Sequence, residues 1–308
     1  MNGEIISPLR RRMIEDMTVR KFVEKTQKDY IRHVKDLTVF LGRSPDTATA
    51  EDLRRYQLHL TENGVRAPSV NSAVSALRFF FSITLDRPDV TKRLTFVAEP
   101  RKIPVVLSPE EVTRFLDAAP GPKYKAAFSA AYGAGLRVSE VAGGSPDALP
   151  LLLSDLDMKN RCIRIRRLKG SLETTQALID LRGKPAMSDV AALREYLKVR
   201  IDDGSQLLFT GQKGPLQRWT LTRMFRSLTE QVSQARVNRG LSPIAPNAMH
   251  FHVLKHSIAT ILASRVDNIY HVKTHLGHAA ISSTMKYCHP DQKATGVKVR
   301  EVLAQAFA

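Results

Sequence analysis

Between Lys21 and Leu41, apolar or aromatic side chains fall at Phe22, Tyr30, Val34, Leu37, Phe40 and Leu41. That spacing is close to 3.6 residues and predicts a helix with one apolar stripe, stopped by Gly42. Thr49 is placed to cap a second helix running to about Leu60, with Leu53, Tyr56, Leu58 and Leu60 as its apolar positions. A third helix is expected over Ser69 to Leu85, through Val70, Val74, Leu77, Phe80, Phe81 and Ile83, and a shorter one near Arg10–Met17. Together these make a small helical bundle over residues 1–86 with basic outer faces. The Phe79-Phe80-Phe81 run is read as core, because its spacing is helical, rather than as a base-stacking platform.

The pattern then changes. Residues 87–106 carry Pro88, Pro100, Pro104 and several cations, and read as a linker. Ser108-Pro109-Glu110-Glu111 has a capping serine, a first-turn proline and a glutamate three residues on, which marks a helix start. A second domain is therefore expected over 107–308. One segment in it, Cys162-Ile163-Arg164-Ile165-Arg166, alternates apolar and basic residues. It is expected to turn at Gly170-Ser171 and return through Gln176 to Ile179 as a hairpin. The fold class is mainly α with a small β-hairpin or sheet, in two domains.

Composition narrows the function. The chain has 308 residues, 43% of them hydrophobic, which suits globular domains. No apolar run approaches the ~20 residues of a membrane span. Met1 to Arg12 holds no apolar core of a secretory signal, so a cytoplasmic protein is expected, with Cys162 and Cys288 as reduced thiols. The net charge of +17 is spread along the chain: residues 1–104 hold 19 Lys/Arg against 13 Asp/Glu, and residues 105–308 hold 28 against 17. Two separately basic domains suit a clamp on a phosphate backbone.

The candidate chemistry lies near the C-terminus. His252-Val253-Leu254-Lys255-His256-Ser257 is followed by Leu276-Gly277-His278 and then Tyr287, with Gly135-Leu136-Arg137-Val138-Ser139-Glu140 far upstream. Cations for non-bridging oxygens, a proton shuttle and a nucleophile are what phosphoryl transfer requires. In a helix His252 and Lys255 share a face, while Ile258, Ile261, Leu262 and Val266 form the core stripe. His271, His275 and His278 do not make a zinc motif, because Val272 stands where the HExxH pattern needs glutamate and no cysteine pair supports it. No phosphate-binding loop precedes any lysine. Neither a metal, a nucleotide nor any other cofactor is expected.

Taken in order, these segments resemble the tyrosine recombinases, the phage-integrase family of DNA breaking and joining enzymes. The resemblance covers nearly the whole chain, a helical core-binding (SAM-like) domain in front and a catalytic domain behind. It makes Arg137 the first catalytic arginine and places the family's hairpin lysine on Lys169 in Leu168-Lys169-Gly170. The His-x-x-Arg box falls on His252 to Lys255 and the Leu-Gly-His box on Leu276 to His278, with Tyr287 as nucleophile. By that resemblance Tyr287 forms a 3′-phosphotyrosyl bond to DNA. Arg137, Lys255 and His278 bind the non-bridging oxygens, His252 assists proton transfer at the tyrosine, Lys169 protonates the leaving 5′ oxygen, and Glu140 orients the site. The implied partner is double-stranded DNA, two duplexes held by a homotetramer, in the service of a mobile element. In the family the segment after the nucleophile packs onto a neighbour; here Asp291 to Ala308 is long enough to dock on a neighbour or on its own domain.

Two departures stand out. Lys255 occupies the place of the second arginine, keeping the charge but losing the planar fork. It marks a slower enzyme, a subfamily that uses lysine, or a decayed copy that only binds DNA; the intact motif around it favours the subfamily. The second is Gly143-Gly144-Ser145-Pro146-Asp147-Ala148, expected to form an extra loop before Asp155-Leu156-Asp157. A type IB topoisomerase would use the same chemistry but not this box order, and a helix-turn-helix regulator would explain only the charge.

Overall fold

The computed structural model describes residues 6–99, 104–142, 149–166, 173–180, 188–212 and 214–288. Lys169, the 143–148 segment, the 170–171 turn and the 291–308 tail lie outside them. The chain divides into two compact units, Met1–Lys102 and Ile103–Ala308.

The N-terminal unit holds α1 (Pro8–Val19), α2 (Glu24–Leu41), α3 (Ala50–Glu62) and α4 (Ala67–Phe79). Thr49 caps α3 through a reciprocal box with Asp52, the side chain of each bonding the other's backbone N–H. α2 begins at Glu24 rather than Lys21, because Lys21 takes a left-handed turn (φ 56°) that no helix can include. Past Phe79 the chain continues as a π-turn over Phe80–Thr84. Phe80 and Phe81 are buried beside Met13, Met17, Leu37, Leu53 and Leu77, and Phe79 packs on Phe22 and Tyr30. The phenylalanine run is core. Val90 and Leu94 join the same core, so the chain is anchored in this unit for several residues beyond residue 86.

The C-terminal unit is helical around a small sheet: α5 (Pro109–Asp117), α6 (Gly121–Gly133), α7 (Val138–Val141), β1 (Leu156–Asp157), β2 (Cys162–Ile165), β3 (Thr174–Ala177), α8 (Asp189–Val199), α9 (Arg218–Val237), α10 (His252–Arg265), α11 (Ile269–Leu276) and α12 (Ser282–Met285). Ser108 and Glu111 form the expected capping box of α5. α6 is small and apolar through most of its length, with Ala126, Ala127, Phe128, Ala130 and Ala131 fully buried, so it serves as the central helix. Phe115, Phe225 and Phe251 close around Phe128.

The three strands pair antiparallel in the order β1-β2-β3, with Ile163 opposite both Leu156 and Gln176. Strand alternation buries Ile163 and Ile165 and turns Arg164 outward. The Asp155 carboxylate, fully buried, is paired by Arg164 and Arg166 and accepts from the Leu152 N–H, which fixes the sheet's edge. The mainly α fold with a small antiparallel sheet agrees with the sequence reading; the third short strand, β1, is an addition to the expected hairpin.

Candidate active site

The site is assembled where α6, α10 and α11 end or meet. α6 stops at Gly133, and Gly135 follows in the left-handed conformation (φ +60°). A side chain at Gly135 would also place its Cβ 2.8 Å from a Leu276 methyl. The first box therefore rests directly on the Leu-Gly-His segment, a contact only glycine permits. We expect Gly135→Ala to destabilise the protein by about 1–2 kcal/mol from the backbone alone, and to lower strand cleavage by displacing Leu276. A urea unfolding midpoint and a single-turnover rate both equal to wild type would rule this out.

Just beyond that turn, Arg137 precedes α7. Its backbone N–H and its guanidinium both donate to the Glu140 carboxylate, at 2.8 and 2.9 Å. The Glu140 side chain is 4% exposed and that of Arg137 39%. A buried carboxylate thus aims a half-open guanidinium, the orienting part expected of Glu140.

α10 carries three groups of the site. Lys255 is 3% exposed, and its ammonium donates to the Leu276 carbonyl at 2.6 Å. His252 lies on the same helical face as His256, one turn earlier, with the ring centroids 6.2 Å apart. His256 Nδ1 is 2.7 Å from the Tyr287 hydroxyl oxygen. Ser257 seats the helix by accepting from the Leu107 N–H and donating to the Val253 carbonyl.

α11 ends at Gly277, again left-handed (φ +58°), and this turn delivers His278. His278 Nδ1 lies 2.9 Å from the Thr284 hydroxyl, and its ring stacks on Tyr287 at 6.3 Å with 16° between the planes. One residue before Leu276, His275 donates from Nε2 to the Gly133 carbonyl at 2.8 Å, tying α11 to the end of α6. Tyr287 itself is 7% exposed, held between His256 and His278.

The electrostatics follow from this crowding. Burial raises the Tyr287 hydroxyl above the ordinary tyrosine value, and the Arg137 charge opposes it. Burial lowers His252, and His250, Lys255, Arg137 and Arg218 push it the same way. His256 is driven down to about 4, first by burial and then by His252, His250, Lys255 and Lys286. Burial first, and after it the fixed positive charge of Lys255, Arg137, Arg218 and Lys286, favours the neutral form of both imidazoles. An entering anion would offset that charge.

Of the residues that the sequence places in one site, His278 stacks on Tyr287, Arg137 acts on Tyr287 through its charge, Lys255 ends on the carbonyl two residues before His278, and His252 stands beside His256. The tyrosine hydroxyl is bonded to His256, a residue quoted in the sequence motif but given no role there. Its signal was positional: four residues after His252, it returns to the same face. Among the described residues no group of three or more His, Cys, Asp or Glu is arranged to hold a metal. No helix of these residues is long and apolar enough to cross a membrane.

Next to the site, the start of α9 borders an open depression of about 560 Å³ lined by Gln217, Arg218, Trp219, Thr222, Arg223 and Arg226. Trp219 is 62% exposed, and the Arg223 guanidinium lies over its ring at 5.2 Å.

Known proteins place the chain as a whole. Residues 105–294 match the phage integrase family, and residues 9–89 match the phage integrase N-terminal SAM-like domain. The putative integrase/recombinase y4qK of Sinorhizobium fredii is 32% identical over 287 residues, covering 92% of this chain and 84% of that protein. The tyrosine recombinase XerD of Rhizobium meliloti is 30% identical, covering 86% and 84% respectively. Among solved structures, the Tn1549 transposon integrase in complex with circular intermediate DNA shares the fold at a TM-score of 0.67 and 20% identity, covering 96% of this chain and 99% of that one. A lambda integrase dimer bound to a COC′ core site does so at 0.67 and 17%, covering 91% and 94%. The chain belongs to the phage integrase family of tyrosine recombinases, enzymes that break and rejoin DNA.

Proposed function

We propose that this protein is a site-specific recombinase of a mobile element that cuts DNA through a 3′-phosphotyrosyl intermediate on Tyr287. The observation that carries the reading is the convergence on one oxygen. The Tyr287 hydroxyl is bonded to His256 and its ring is stacked on His278, with Arg137 near enough to stabilise its anion. A phenol with a raised pKa is a poor nucleophile unless cations surround the reaction.

In this reading Arg137, Lys255 and His278 take the non-bridging phosphate oxygens and stabilise the charge of the transition state. An ammonium has three N–H donors, so the Lys255 bond to Leu276 is compatible with a phosphate contact. His252, near Lys255, Arg137 and Arg218, belongs to the same anion pocket and assists proton movement there. Lys169 supplies the proton to the leaving 5′ oxygen, completing the set carried over from the family. The released 5′ hydroxyl of one duplex then attacks the phosphotyrosine of another, so no nucleotide is consumed. Four protomers would act on two duplexes, with the cationic slope around Arg218, Arg223 and Arg226 adding to the grip on the backbone.

All of these charges belong to side chains. Covalent adduct formation on a nicked duplex should therefore persist in excess EDTA without added nucleotide, and DNA affinity should fall steeply with salt as the release of counterions becomes less favourable. A strict Mg²⁺ requirement for cleavage would overturn the mechanism.

A further inference from the structure

We propose that His256 is a catalytic residue of this protein, the group that accepts the hydroxyl proton of Tyr287 as that oxygen attacks the DNA phosphate. The inference rests on Tyr287 being the nucleophile and adds the base that its chemistry needs.

The geometry is direct. Nδ1 of His256 lies 2.7 Å from the tyrosine oxygen, with ring centroids 5.6 Å apart and the planes tilted by 42°. That is hydrogen-bond reach without an intervening water, the first requirement of a general base. A phenol hydrogen buried without an acceptor costs about 1–3 kcal/mol, and Nδ1 is in place to receive it. In the productive tautomer Nε2 carries the ring hydrogen and Nδ1 accepts. His278, on the other side of the tyrosine, bonds through Nδ1 to Thr284 and meets Tyr287 by ring stacking. His252 is one helical turn earlier on α10, its ring centroid 6.2 Å from that of His256.

The titratable and charged groups facing His256 come from every side. His250, His252 and Lys255 lie on or just before its own helix, Lys286 and Tyr287 follow α12, and Arg137 acts on Tyr287 from the start of α7. Burial first, and the Lys255 and Lys286 charges after it, keep the imidazole unprotonated, hence able to accept, at neutral pH. They also make it a weak base until a phosphodiester anion enters and offsets the charges. Proton transfer is thereby linked to the presence of DNA. In the step itself the Oη–H bond breaks and its proton moves to Nδ1, giving an imidazolium. The oxygen's electron pair forms the bond to phosphorus, and the P–O5′ bond breaks with its electrons going to the 5′ oxygen, which takes a proton from Lys169. Rejoining runs the same transfers backwards, the imidazolium returning its proton to the departing tyrosine oxygen.

The test is the pH dependence of single-turnover adduct formation on a suicide duplex by the full-length protein. His256→Asn keeps a polar group near the position of Nδ1 but cannot take a proton; His256→Gln is a second variant of the same kind, and DNA binding reports that each has folded. Wild type should be nearly flat between about pH 6.5 and 8.5, since the base is neutral throughout. The variants should be slower by on the order of 10²–10⁴ at neutral pH. Their rates should rise about tenfold per pH unit, because the tyrosine must then lose its proton to solvent before attacking. Replacing Tyr287 by a fluorinated tyrosine with a more acidic hydroxyl should recover much of the variants' loss. Variants whose profile runs parallel to wild type, at whatever rate, would show that His256 only packs or orients the ring, and the proposal fails. Adduct formation by Tyr287→Phe would instead overturn the nucleophile assignment on which the proposal stands.

Discussion

Tyr287→Phe should form no covalent protein–DNA adduct while binding its DNA site with affinity close to wild type. The substitution deletes one oxygen and leaves the ring. The ring is the structural part, since Tyr287 is 7% exposed, belongs to the core and stacks on His278. The lost bond to His256 costs on the order of 1 kcal/mol in stability, too little to unfold a unit of this size. The chemical loss is of another kind. Without the oxygen there is no atom at that place to bond to phosphorus. Tyr132 and Tyr196 are buried in the core, and Tyr270 stands 62% exposed on α11. Denaturing gels of a nicked, labelled duplex would read the result. Persistent adduct would move the nucleophile to another tyrosine.

Lys255 gives the second large effect. Replacing it with methionine keeps most of the volume and removes the charge, and cleavage should fall by on the order of 10²–10³, the usual cost of one preorganised donor to a developing oxyanion. Lys255→Ala should lose at least as much, since it also leaves a cavity and takes the donor from the buried Leu276 carbonyl. Lys255→Arg is the informative variant. The lysine is 3% exposed and already in contact with backbone, so a broader guanidinium must push Leu276 aside. It should be active but slower than wild type. A decayed copy would behave in the opposite way: wild type and the methionine variant equally silent, with arginine alone restoring cleavage. Equal, clearly measurable rates for wild type and Lys255→Met would remove Lys255 from the chemistry.

The packing around Lys255 also bears on why lysine stands there. Its ammonium ends on the carbonyl that precedes Gly277, and Gly135 lets the first box close on the same Leu276. The three boxes thus meet at one residue, with a compact cation filling the space between them. A point charge on a flexible stem suits that space better than a fork.

The elements that the sequence determined are those governed by contacts within one or two helical turns. The caps at Thr49 and Ser108 are local hydrogen bonds between residues three apart, and both form as read. The helical stripes and the alternation of Cys162 to Arg166 are local in the same sense, so their type was legible and only their limits moved. The order of the boxes named the family for a related reason, since each box is a short run whose residues act together. What the tertiary structure alone decided is which side chains meet across the chain. Val90 and Leu94 join the first core from a stretch too short and proline-marked to show a period. Lys255 reaches a carbonyl 21 residues on, and His256 meets Tyr287 across 31. No periodicity specifies such pairs, because they depend on how α10 and α11 pack against α6, and packing is a property of surfaces rather than of neighbouring residues. The sequence therefore determined a recombinase fold, whereas the choice of imidazole beside the tyrosine belonged to the packed helices.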